Sequence, residues 1–191
     1  MYFPADMNFQ YFFFDTYIGY FLQALPFALA AGGIYGLICF RKDRETPVSR
    51  KVFGCLFVCY LTGLVCLTLG LDLMNVFWYR LFYFRESGHT IYWFSGAFDL
   101  IPDFFHRFDS EALGNFLMFL PFGVLYPLVR KRPTWKNSFL VGFITVLVIE
   151  TLQPVFGRAF DINDVILNTL GIVLSSTLFM AVRKIAANFR R

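Results

Sequence analysis

A chain of 191 residues is long enough for one ordinary globular core, but 58% hydrophobic, 21% aromatic and 16% charged residues exclude a soluble one, whose charged share runs near about 25%. Mean hydropathy of +0.58 and apolar runs of about 20 residues place the chain among multipass membrane proteins. The net charge of +4 does not point to nucleic acid, because the basic residues cluster beside the apolar runs, where topology accounts for them.

Residues 1–16 hold no Lys or Arg and are dense in Phe and Tyr, unlike a secretory signal. They suit the outer interface, where aromatic rings prefer to sit. A first span covers about 17–40, with Ala28, Gly32 and Gly36 on a small-residue face that permits close helix packing. A basic loop, 41–51, leads to a second span over about 52–73, where Cys55, Cys59 and Cys66 share a helical face. With Cys39, these cysteines all fall in apolar runs, which argues against a disulfide framework or metal site. The connector 74–111 carries Phe98, Ile101, Phe105 and Phe108 at helical spacing, so an amphipathic helix is expected there, lying on the membrane surface or packed as a loop helix on the spans. Its two histidines, His89 and His106, lack ligand spacing.

The third span, about 112–129, contains Pro121 and Pro127; a second basic loop, 130–137, precedes the fourth and fifth spans at about 138–156 and 165–182. No internal repeat divides the chain, so residues 1–191 read as a single membrane domain. Thirteen of the 17 Lys and Arg lie in the two basic loops and the tail. Five spans put those segments on one side, which the positive-inside rule makes cytoplasmic, with the N-terminus outside and the C-terminus inside. The expected architecture is an all-α integral membrane protein with about five transmembrane helices and an outer interfacial helical segment.

This topology gathers scattered polar letters. Asn115 lies about 5 Å below the outer end of the third span, and Glu150 about 9 Å below that of the fourth, at 1.5 Å per residue. Gln153 is one turn shallower; Arg158 sits in the following connector; Asp161 and Asp164 mark the mouth of the fifth span, and Asn168 lies about one turn in. Polar groups in hydrocarbon are costly, so this grouping is a candidate pocket. Each residue also has a structural reading. Asp161 fits an N-terminal helix cap and Asp164 a favourable helix-dipole position. Asn115 and Asn168 fit interhelical hydrogen bonds, Gly123 and Gly171 close packing, and Glu150 an ion pair with Arg158.

The segments from Asn115 through Pro121 to Gly123 and from Glu150 to Gly171 resemble the VanZ-like membrane family. Its members show Asn before F-x-P-x-G, then a Glu–Gln pair, an Arg, and D-x2-D-x3-N-x2-G. The resemblance covers about residues 98–175, with Leu100–Pro102 similar to an Asn-Leu-Ile-Pro segment and Asp99 at the Asn position. It implies a multipass protein of the bacterial cytoplasmic membrane and low-level resistance to teicoplanin, a lipid-tailed glycopeptide. The family has no established reaction, so no catalytic residues carry over; no cofactor is expected, and a metal would enter only under an enzymatic reading, on Asp161 and Asp164.

Two functions compete on these residues. The first is a binding protein whose outward pocket engages membrane lipids or a lipid-linked cell-wall precursor, with Arg158 suited to a phosphate or carboxylate. The alternative is an intramembrane enzyme on a lipid-linked substrate, with Glu150 as general base, Asp161 or Asp164 as second carboxylate, and Arg158 and Asn168 as charge stabilisers. No familiar catalytic motif is present. A small proton-coupled transporter using Glu150 is a lesser alternative.

Overall fold

The computed structural model describes residues 8–84, 91, 93–105 and 110–189. Two short helical pieces and a run of long helices follow one another: α1 (Phe9–Phe14), α2 (Tyr17–Lys42), α3 (Val48–Thr68) and α4 (Leu71–Tyr83). After the connector come α5 (Ser110–Met118), α6 (Leu120–Val129), α7 (Trp135–Leu152), a 3-10 turn (Gln153–Phe156) and α8 (Ile162–Asn188). Among the described residues, five helical units are long and apolar enough to cross a membrane: Tyr17–Lys42, Val48–Thr68, Glu111–Val129, Trp135–Phe156 and Ile162–Asn188. They fall where the apolar runs predict them.

Length and chemistry explain the limits of these helices. Thr16 caps α2 by accepting from the Gly19 amide at 3.0 Å, and Thr134 caps α7 by accepting from Asn137 at 3.2 Å, each satisfying a donor that the first turn leaves open. The third unit is broken at Phe119, between α5 and α6, with Pro121 in the first turn of α6. Proline removes one amide donor, and the Met118 carbonyl accepts from the Tyr60 hydroxyl at 3.0 Å.

Helix faces sort by what they meet. On α7, Leu140, Ile144, Val148 and Leu152 recur every four residues and are exposed, while Val146, Ile149 and Glu150 are buried. An exposed aliphatic stripe on a spanning helix is its lipid face, so both faces are apolar and only size and polarity separate them. The core lies where α3, α6, α7 and α8 converge, around Phe119, Phe122, Tyr126, Val146, Val165 and Ile172. Gly123 of α6 is the point of closest approach to α8: a Cβ there would lie 2.6 Å from the Ser176 amide nitrogen and 2.8 Å from the Ile172 carbonyl oxygen. The expected small-residue face of α2 does pack. A Cβ at Gly32 would lie 3.0 Å from the Cys55 carbonyl, and one at Gly36 would lie 3.1 Å from Cys55 Sγ. The cysteine face of α3 therefore fills the groove that the glycines of α2 leave open.

The interfacial helix expected in the connector is not formed over its described residues 98–105, and the short helices lie elsewhere. Helices α1 and α4 form an aromatic cap at one end of the bundle, with Phe13 edge-on to Trp78 at 5.9 Å and to Phe82 at 5.3 Å. Residues 98–105 are not helical: Phe98–Asp99 (β1) pairs in parallel with Phe160–Asp161 (β2). Pro102 denies this stretch a donor and disfavours helix in the residue before it, and Asp99 closes a local turn by accepting from the Ile101 amide at 3.0 Å. The apolar groups of the stretch still point outward, with Phe98 65%, Ile101 71% and Phe105 78% exposed. Phe108, His89 and His106 of that sequence reading lie outside the described residues.

Candidate functional site

The polar end is built on the turn between α7 and α8. Gly157 adopts φ of 81°, a left-handed conformation that glycine enters without strain, and it redirects the chain so that Arg158 N donates to the Gln153 carbonyl at 3.0 Å. The connector is laid alongside: Phe94 and Ser95 amides donate to the Val155 and Pro154 carbonyls at 3.2 and 2.9 Å, and Phe160 N donates to Ala97 O at 3.0 Å. Ser95 Oγ donates to the Arg158 carbonyl. The α7–α8 turn and the connector thus form one backbone-bonded lid over the bundle end.

The seven candidate polar residues separate into three groups beneath this lid. Glu150, Gln153 and Asn168 form the deepest, at 1%, 3% and 2% exposure. Asn168 Nδ2 donates to Glu150 Oε1 at 3.1 Å. The amide orientation of Gln153 follows from its surroundings, two acceptors: its Nε2 donates to Glu150 Oε2 at 2.9 Å and to the Ala159 carbonyl at 3.0 Å. Both carboxylate oxygens of Glu150 are therefore engaged, and the helix pair α7–α8 and the turn between them are tied at one point. The partners of Glu150 are these amides, not the Arg158 ion pair that the sequence allowed.

The second group is acidic. Asp161 caps α8 by accepting from the Asn163 amide at 2.7 Å, and Asp164 in the first turn accepts from Asn115 Nδ2 of α5. These two carboxylates, with Asp99, Asp103 and Glu111, line a recess of about 230 Å³. Asp99, Asp103, Asp161 and Asp164 each accept an amide N–H on one oxygen, which fixes the carboxylates in place around the recess. Among the described residues no three His, Cys, Asp or Glu side chains are grouped to hold a metal.

Asn163, which the sequence reading passed over, organises this recess. It is 8% exposed and makes four bonds to the connector. Its Oδ1 accepts from the Asp103 and Phe104 amides at 3.0 and 3.1 Å, and its Nδ2 donates to Ile101 O at 3.2 Å and Asp103 Oδ1 at 3.1 Å. The available signal was its place two residues after a cap, where a polar side chain projects past the helix end. Asn163→Ala is expected to free residues 101–104 while leaving the bundle folded, at a cost of about 1–3 kcal/mol for donors left unpaired. Hydrogen exchange should rise across 98–105; unchanged exchange there would contradict this role.

The third group faces open space. Arg158, 39% exposed in its side chain, crosses the gap between α3 and α5: Nη2 lies 3.8 Å from Glu111 Oε1, and Nη1 donates to the Thr68 carbonyl at 3.3 Å. Arg158, Asn115 and Glu111 line a cavity of about 520 Å³, with Tyr17 and Tyr20 of α2 on its other wall. Gly123 and Gly171 are packing positions: a Cβ at Gly171 would lie 2.5 Å from the Phe116 carbonyl of α5.

Five spanning helices, a backbone lid and a buried carboxylate–amide knot at one end define a polytopic helical membrane protein with a polar site beside its bundle end. The chain belongs to the VanZ/LLP1 family, whose model matches residues 56–183. It is 28% identical over 113 residues to Protein VanZ of Enterococcus faecium, a match covering 58% of this chain and 70% of that protein. No solved structure matches the chain with statistical significance.

Proposed function

We propose that this chain is a bacterial cytoplasmic-membrane protein that lowers susceptibility to teicoplanin-type lipoglycopeptides. It does so by binding, at an outward-facing polar end, the anionic head group of a membrane lipid or lipid-linked wall precursor, so that the antibiotic docks less well on the membrane surface. The observation that carries this reading is the placement of Arg158, a half-buried guanidinium in the wall of a 520 Å³ cavity at the bundle end. Arginine presents a fixed fork of donors matched to phosphate or carboxylate oxygens, and Asn115 on the same wall adds polar contact.

The outward orientation rests on charge. The bundle end opposite Arg158 carries the basic loops 41–51 and 130–137, and such loops are retained in the cytoplasm. Binding is favoured over catalysis because Glu150, the base that an enzyme would need, is 1% exposed and engaged on both oxygens. Expression in a teicoplanin-susceptible Gram-positive host tests the reading. Wild type should reduce susceptibility, and Arg158→Ala should return it to that of the empty vector at equal membrane abundance, with Arg158→Lys intermediate. Full protection by Arg158→Ala would sink the proposal.

A further inference from the structure

Directly beside the Arg158 cavity lies a second one of about 390 Å³ with a wall that is apolar throughout, running between α2, α3 and the broken third span. The two share Phe21, Leu67 and Met118, so they adjoin along these side chains and together present a groove with a polar mouth beside an apolar shaft. The shaft exists for two reasons legible in the side chains. Ala24, Ala28 and Gly63 leave room between α2 and α3, and the break at Phe119 brings Met118 and Pro121 to its wall. A Cβ on Gly63 would meet only the Ala28 Cβ, at 3.9 Å, so a larger side chain there extends into the shaft.

We propose that this groove holds a single anionic phospholipid, its phosphate on Arg158 and one unbranched acyl chain in the shaft. This rests on the head-group reading above and specifies the ligand. Arg158 supplies the phosphate contact at the mouth, replacing its long 3.8 Å approach to Glu111 Oε1 with a shorter charge-assisted bond. The lining selects hydrocarbon: the shaft of about 390 Å³ is walled by apolar side chains with the small Ala24, Ala28 and Gly63 between α2 and α3, which suits one unbranched tail over the methyl-branched chain of a polyprenyl carrier. The α2 wall lies outside the family match, which begins at residue 56. The α3 wall with Gly63 and Leu64, the Met118–Pro121 wall, Asn115 and Arg158 fall within the family region.

The test uses the full chain in phosphatidylcholine nanodiscs doped with phosphatidylglycerol carrying a diazirine on one acyl chain, with cross-links mapped by mass spectrometry. Labelling should concentrate on Leu25 and Leu64 of the shaft over the exposed α7 stripe of Leu140, Ile144 and Val148. Arg158→Ala, by removing a charge-assisted contact, and Gly63→Leu, by filling the shaft, should each cut shaft labelling about tenfold. Leu29→Trp, at a position 59% exposed, serves as a second filling variant should Gly63→Leu not fold. Labelling spread evenly over shaft and α7, shaft labelling indifferent to these variants, or stronger displacement by a polyprenyl diphosphate than by unlabelled phosphatidylglycerol would each overturn the proposal. Even labelling together with Arg158-dependent teicoplanin protection would remove the acyl shaft and leave the head-group reading. Arg158-dependent labelling without Arg158-dependent protection would remove the resistance reading and leave the lipid site.

Discussion

Glu150→Ala is expected to destabilise the folded protein by about 2–4 kcal/mol, because it strands two buried amide donors at once. Asn168 Nδ2 and Gln153 Nε2 both end on the Glu150 carboxylate, and all three side chains are at most 3% exposed, so water does not replace the lost acceptor. Glu150→Gln should cost less, about 1 kcal/mol, since the new side-chain oxygen still accepts from Gln153 and the Asn168 amide can turn over to present Oδ1, which has no other partner, to the new donor. Thermal unfolding in detergent micelles should therefore rank wild type above Glu150→Gln and both above Glu150→Ala. Equal stability of Glu150→Ala and wild type would mean that the knot contributes nothing to the fold. Loss of teicoplanin protection in Glu150→Ala is then expected as a consequence of misplacing Arg158, eight residues further along the same turn.

Gly123→Val should have an effect at least as large, for a reason of space alone. The added Cβ would lie within 2.6 Å of the Ser176 amide nitrogen and 2.8 Å of the Ile172 carbonyl, and backbone of a neighbouring helix cannot rotate away as a side chain can. Helices α6 and α8 must separate, at the core where Phe122 and Ile172 are at most 1% exposed, costing about 3 kcal/mol or more. The control is Gly33→Ala, where a Cβ meets nothing within 4 Å and stability should hold. A monodisperse, wild-type-like Gly123→Val protein in size-exclusion chromatography would contradict the close approach.

What the sequence reveals and what it hides follow from the range of each interaction. Hydrophobic runs and basic flanks are local, and they locate all five spans. The small stripe of Ala28, Gly32 and Gly36 and the Cys55–Cys59 face were each legible, but that one fits into the other is a tertiary fact with no sequence signature. At the polar end, the cap role of Asp161 and the packing roles of Gly123 and Gly171 were readable from position. The partnership of Glu150 with Asn168, 18 residues apart, needs the hairpin, as does Asn115 with Asp164, 49 apart. Connector residues misled because Phe98, Ile101 and Phe105 show helical spacing, while Pro102 and the pairing of Phe98 with Phe160 impose an extended path. Asn163 was passed over because an asparagine beside a capping aspartate reads as ordinary helix-start chemistry, although its four bonds reach residues about 60 positions earlier.

To meet a glycopeptide at the membrane surface, the Arg158 cavity must face the outside of the cell. Single cysteines at Leu100, 66% exposed in the connector, and at Lys131, exposed in the basic loop, report this directly. Both belong in a background where Cys39, Cys55, Cys59 and Cys66 are alanine. With a membrane-impermeant maleimide on intact cells, Leu100→Cys should label and Lys131→Cys should label only after permeabilisation. The reverse pattern would place the cavity in the cytoplasm, away from any glycopeptide, and contradict the proposed function at its root.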